Sequence, residues 1–213
     1  MVYVYLANIS NLPDPLEVPE IMDGLLDSRK DKILKCKQLK SRKQSLGAGL
    51  LLQKALEIHG KSVEEIYYIS NNKPAMDGIC FNLSHSDAFV ACAISETPVG
   101  IDLEKIRNLK EDIADRYFTS IEKEHLSMFE EPDRTDEFFR LWTMKESYMK
   151  FTGDGMKLPL SSFEFRFDTD VQVFRDGKRQ DCFLKEYEVP GYKLTVCSGE
   201  NDFINEIKYI VII

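Results

Sequence analysis

The chain has 213 residues, 43% hydrophobic and 11% aromatic, with 36 acidic against 28 basic side chains and a net charge of −8. That is enough apolar mass for one large domain or two small ones and too much for a disordered chain, and no run approaches the roughly 20 apolar residues of a membrane span. The acidic balance argues against a general nucleic-acid binder, and five scattered cysteines without a CxxC pair argue against a disulfide framework or a zinc site.

The N-terminus, MVYVYLANIS, lacks a basic n-region and a small-residue cleavage site, so it reads as a cytoplasmic chain with free thiols rather than a secreted one. Residues 2–9 alternate at period two and predict a strand. Residues 16–26 predict a helix interrupted near Pro19, and Ser28 can cap a basic helix. Between Arg29 and Lys43 stand eight basic residues and one acid, Asp31. A local cationic patch on an acidic body suits a small phosphorylated ligand, although a solvated helix face would look the same. Leu46, Leu50, Ala55 and Ile58 continue a helical stripe that Gly60 ends, and Ser62 with Glu65 forms a capping box. Residues 66–69 read as a strand, Asn71-Asn72-Lys73-Pro74 as a turn, and 81–94 as an extended apolar stretch around Ser84-His85-Ser86. A further strand follows at 100–104.

In the second half, Thr119 and Glu122 open a helix that runs to about residue 129. A longer helix spans 133–152 and stops at Gly153. Strands follow at 162–167, 171–174, 182–189, 192–197 and 206–213, with Asp176-Gly177 as a hairpin turn. Each half thus holds a long helix and several antiparallel strands, an α+β class with two similar lobes.

Asp102 and Glu104 are two apart on a predicted strand, so both carboxylates leave one face. At about 4 Å and an effective dielectric near 20 they would repel by about 4 kcal/mol, which calls for a cation. Oxygen-only ligands favour Mg²⁺ completed by water and phosphates. Read alone, the pair more often marks a solvated acidic edge. On the helix, Trp142, Glu146 and Lys150 stack at i, i+4 and i+8. Flanked by Lys145 and Lys150, Glu146 reads either as an ordinary ion pair or as a third metal ligand or general base whose lysines face phosphates. Ser84-His85-Ser86 is either a satisfied polar turn or a phosphate contact. A Ser-His nucleophile dyad is disfavoured because adjacent strand residues point to opposite faces.

The order basic helix, Asn-Lys-Pro, Asn-Leu-Ser-His-Ser, Gly-Ile-Asp-Leu-Glu, Trp-x-x-Lys-Glu-Ser-x-x-Lys resembles the 4′-phosphopantetheinyl transferases of the surfactin-synthetase-activating type. The resemblance implies a monomer of two pseudo-twofold-related lobes, 1–100 and 101–213, with the site between them. It implies coenzyme A as co-substrate and a serine of an apo acyl or peptidyl carrier protein as acceptor. Asp102, Glu104 and Glu146 would hold Mg²⁺, with Glu146 and Lys150 catalytic, and Lys30, Arg42, Lys43, Lys73, Ser84, His85 and Lys145 would bind coenzyme A. Asn72 stands where the family frequently has Gly, and Ile101 and Leu103 replace Val and Ile around the acids. The carrier, from fatty-acid, polyketide or peptide synthesis, is not specified; an apolar stretch at Met128-Phe129 is a candidate contact. Two rival readings share these residues: a Mg²⁺-dependent pyrophosphate hydrolase and an inactive carrier-binding module.

Overall fold

The computed structural model describes residues 1–69, 73–109 and 113–213. The turn expected at Asn71-Asn72 lies outside the described residues. The chain divides into two units, one of residues 1–96 with 204–213 and the other of residues 97–203.

The first unit contains β1 (Tyr3–Asn8), α1 (Asp27–Lys35), α2 (Leu39–Ile58), β2 (Tyr67–Ile69), β3 (Lys73–Ala75), β4 (Cys80–Ser86), β5 (Phe89–Ser95) and, from the end of the chain, β12 (Lys208–Tyr209). Its main sheet has the order β12-β1-β5-β4. β4 and β5 form a hairpin in which Ser86 faces Phe89, so Asp87 and Ala88 make the two-residue turn, with Asp87 at φ 49°. α2 packs on β5, and α1 packs on α2. Tyr5, Ile33, Leu46, Leu51, Leu56 and Ile94, all essentially inaccessible, form the centre of this unit's core.

The helix expected at 16–26 is only a 3-10 turn, Pro19–Met22. Prolines at 13, 15 and 19 remove backbone donors, and Gly24 turns left-handed at φ 79°, so no α-helical ladder propagates. The strand expected at 206–213 shortens to two residues, because β12 pairs in parallel only with Tyr5 and Leu6 of β1.

The second unit contains β6 (Val99–Lys105), α3 (Ile113–Tyr117), α4 (Ser120–Ser127), α5 (Asp133–Thr152), β7 (Phe163–Phe167), β8 (Val171–Arg175), β9 (Lys178–Arg179), β10 (Phe183–Val189) and β11 (Tyr192–Ser198). Two antiparallel sheets have the orders β10-β11-β6 and β7-β8-β9. α4 opens with the expected capping box of Thr119 and Glu122, and α5 ends at left-handed Gly153, φ 75°. Asp176 and Gly177, φ 52° and 71°, turn the β8-β9 hairpin. Helix α5 lies across β6 and β11.

The division expected after residue 100 is displaced. Val99 and Gly100 already belong to β6, where Gly100 pairs with Cys197. Residues 204–213 fold back on the first unit through Ile204 N–H to the Val2 carbonyl (3.0 Å) and Ile210 N–H to the Leu6 carbonyl (2.9 Å).

Candidate active site

The second unit brings three of the predicted acids into one electrostatic neighbourhood. Along β6, Ile101 and Leu103 fill the core on one face. The other face, carrying Gly100 and Asp102, is covered by α5 rather than solvated. Gly100 makes this possible: a Cβ there would sit 2.0 Å from the Ser147 carbonyl oxygen and 2.4 Å from the Phe151 nitrogen, so only glycine lets the helix backbone come this close. With the helix seated there, Lys150 donates to Asp102 Oδ1 at 2.7 Å and to the Ile101 carbonyl at 2.9 Å. Asp102 is 4% exposed.

Glu146 lies one turn before Lys150. Burial, and then the negative charges of Asp102 and Glu104, push its carboxyl up to about 7, against the opposing pull of Lys150. Among the described residues its carboxylate takes part in no hydrogen bond or ion pair. Arg107 reaches Glu104 Oε2 at 3.2 Å. A cavity of about 410 Å³ opens beside Glu104, walled by Leu109, Ile113, Phe138, Phe139 and Trp142.

Three neighbouring carboxylates, two of which oppose the ionisation of Glu146, with only oxygen donors, form a set whose chemistry fits a hard divalent cation. Asp102 and Glu104 are held in ion pairs with Lys150 and Arg107, and no group of three His, Cys, Asp or Glu among the described residues is already gathered as a chelate. The two lysines beside Glu146 separate sharply. Lys145 is fully buried and donates to both Glu122 oxygens (2.6 and 2.7 Å) and to the Phe163 carbonyl (2.9 Å). Glu122 also accepts from the Thr119 and Phe165 N–H groups. This network leaves Lys145 no reach to a phosphate, so its predicted coenzyme A contact is corrected to a structural role.

The cations predicted for the nucleotide lie in the first unit. Arg42 is committed internally: Nε donates to Asp14 Oδ1 at 2.9 Å, Nη2 to Oδ2, and Nη1 to the Cys36 and Lys37 carbonyls at 3.2 and 3.0 Å. Its predicted phosphate contact is corrected on that ground. Neighbouring Lys43 makes a 3.4 Å contact to the Ser10 carbonyl. Lys30 sits 3.6 Å from Asp27 on α1. Strand β4 alternates as expected, with Ser84 and Ser86 each 7% exposed and His85 outward, and Lys73 on β3 is exposed.

Two cations escaped the sequence reading. Arg29 and Lys32, rather than Lys30, line a cavity of about 420 Å³ with Ser28, Tyr68 and Pro74 above a floor of Leu25, Leu52, Val63 and Ile66. Their i, i+3 spacing, set against apolar Leu25, Leu26 and Ile33, was the available signal. In a run of eight basic residues it was masked.

Residues 98–197, which include β6, α5 and all but the last residue of β11, match the family described as the 4′-phosphopantetheinyl transferase superfamily. The 4′-phosphopantetheinyl transferase gsp of Aneurinibacillus migulanus is 37% identical over 166 residues, 75% of this chain and 70% of that protein. The chain belongs to the 4′-phosphopantetheinyl transferases. Among other members, Sfp of Bacillus subtilis is 40% identical over 140 residues, 64% of this chain, and the match spans 62% of Sfp's own length. A putative 4′-phosphopantetheinyl transferase of Haemophilus influenzae is 31% identical over 203 residues, covering 87% of this chain and 79% of its own. No helix among the described residues of this transferase-family chain is long and apolar enough to cross a membrane.

Proposed function

We propose that this chain transfers the 4′-phosphopantetheinyl group of coenzyme A to the serine hydroxyl of an apo acyl or peptidyl carrier protein, releasing adenosine 3′,5′-bisphosphate. The observation that carries the reading is Glu146, a half-buried carboxyl raised to about 7 beside Asp102 and Glu104, one helical turn from Lys150.

Without a cation, burial and the neighbouring acids keep Glu146 protonated toward neutral pH; a divalent cation shared with Asp102 and Glu104 would favour the carboxylate form, which can accept a proton. Glu146 takes the serine proton, directly or through a water, as the serine oxygen bonds to the pantetheine-side phosphorus. The bridging P–O bond breaks, and Lys150 offsets charge on the departing nucleotide phosphate. Asp102, Glu104 and Glu146 would hold Mg²⁺, which supplies neutralisation of the diphosphate when bound. Asp102 would offer the cation its buried Oδ2, which has no hydrogen-bond partner, while Lys150 stays on Oδ1 beside the site.

In the first unit, Arg29, Lys32, Lys43 and Lys73 supply the cations for the nucleotide phosphates, with His85 and Ser84 as further donors. Tyr68 and Pro74 offer flat apolar surface to an adenine ring. The cavity beside Glu104, rather than the exposed Met128, provides the apolar surface for the acceptor.

Chromatography of the nucleotides tests this reading. Adenosine 3′,5′-bisphosphate should form from coenzyme A only when an apo carrier is added. Release without a carrier would favour a pyrophosphate hydrolase, and carrier binding without release an inactive module.

A further inference from the structure

The second unit holds two cysteines that the transfer reaction does not use. In the β10-β11 register Leu184 faces Cys197, so Cys182, two residues before Leu184, lies diagonally across from Cys197 on the same face. Both side chains belong to one apolar cluster with Met144, Tyr148 and Phe163. Cys197 is completely buried, whereas Cys182, just outside the strand, is partly exposed. The other three cysteines include no such pair on facing strands: Cys36 follows α1, Cys80 faces Ser95, and Cys92 faces Leu83 and Tyr5.

We propose that Cys182 and Cys197 form a reversible oxidation site in which hydrogen peroxide converts the dithiol to an intramolecular disulfide. The Cys182 sulfur attacks a peroxide oxygen, forming an S–O bond as the O–O bond breaks and water leaves after protonation. The resulting sulfenic acid is then attacked by the Cys197 sulfur. The S–S bond forms, the S–O bond breaks, and the oxygen leaves as a second water with the Cys197 proton. Two thiols lose two electrons, and the peroxide is reduced to two waters.

The microenvironment fits that division of labour. The Cys197 thiol donates to the Cys182 sulfur and holds it below the usual thiol range, helped by Arg179 and opposed by burial and Asp181. Burial pushes Cys197 well above that range. Cys182, the partly exposed member of the pair, is the first nucleophile, and fully buried Cys197 is the resolving thiol. Because diagonal neighbours are wider apart than directly opposed ones, closure needs the short segment before β10 to move toward β11. That segment lies at the strand end rather than within the ladder.

The test is peptide mapping of the whole protein after treatment with hydrogen peroxide, without reductant. A 182–197 cross-linked peptide, 2 Da lighter than its separated parts and restored by dithiothreitol, is expected. Denatured, the oxidised protein should lose two of its five titratable thiols. In Cys197→Ser, dimedone should label Cys182 instead; in Cys182→Ser, the cross-link should vanish while Cys197 stays reduced. Overoxidation of Cys182 in the wild-type protein with no cross-link would overturn the proposal, as would equal oxidation of Cys36 and Cys80. These readouts do not depend on transferase activity.

Discussion

Lys145 and Lys150, five residues apart on α5, leave the helix on different sides: one ends between Glu122 and the Phe163 carbonyl, the other on Asp102 and the Ile101 carbonyl. The first holds the helix to α4 and β7, and the second faces the acids of β6. Two residues of the same type in one short motif thus carry unlike work, and each can be tested separately.

Breaking the Lys145–Glu122 pair should unfold the second unit easily. Both side chains are inaccessible, so Glu122→Gln leaves a buried ammonium without its counter-charge, at a cost of about 3–5 kcal/mol. The double variant Glu122→Leu with Lys145→Met should recover much of that loss. Urea unfolding checks both; a Glu122→Gln midpoint equal to wild type would contradict the assignment.

Glu146 should make stability fall as pH rises. Its folded-state value, about 7, lies above the ordinary 4.5, so between these values the folded chain keeps a proton that the unfolded chain has released. The protonated site is therefore most stable below about pH 4.5, and that contribution is lost through pH 7. Glu146→Gln should flatten this slope in thermal unfolding followed in a chelator-containing buffer. The same variant should slow transfer by about 10²–10⁴-fold.

Gly100→Ala should damage both fold and activity. A methyl group would collide with the Ser147 oxygen and the Phe151 nitrogen, so α5 must lift from β6 at a cost of roughly 1–3 kcal/mol. Lys150 would then lose Asp102. A variant with wild-type melting temperature and transfer rate would show that this close approach is unnecessary.

In the first unit, Lys43→Ala and Arg29→Ala should raise the KM for coenzyme A roughly tenfold with a smaller change in kcat, as loss of one charged phosphate contact implies. Arg42→Ala should instead lower stability, because its guanidinium ties Asp14 to two backbone carbonyls. Steady-state kinetics beside thermal melts separates the two behaviours.

Much of this was legible in local signals. Helix α5 begins and ends at the expected residues because its apolar period is long and Gly153 supplies a left-handed stop. The capping boxes at Ser62 and Thr119 and the turn at Asp176-Gly177 are set by interactions within four residues. What escaped depends on partners distant in sequence. Periodicity could not tell that Lys145 meets Glu122, 23 residues earlier, or that Arg42 meets Asp14, 28 earlier. Nor could it place residues 204–213 beside β1, because a two-residue parallel pairing leaves no pattern of its own. The acidic face of β6 read as solvated because the covering helix is brought there by Gly100, whose signal is the absence of a side chain.

The most direct measurement is the intact mass of an apo carrier protein after incubation with this chain, coenzyme A and Mg²⁺. A gain of one phosphopantetheine, located on the acceptor serine and lost with Glu146→Gln at unchanged folding, is the predicted result. An unmodified carrier with a properly folded enzyme, or equal modification by the Glu146→Gln variant, would contradict the account.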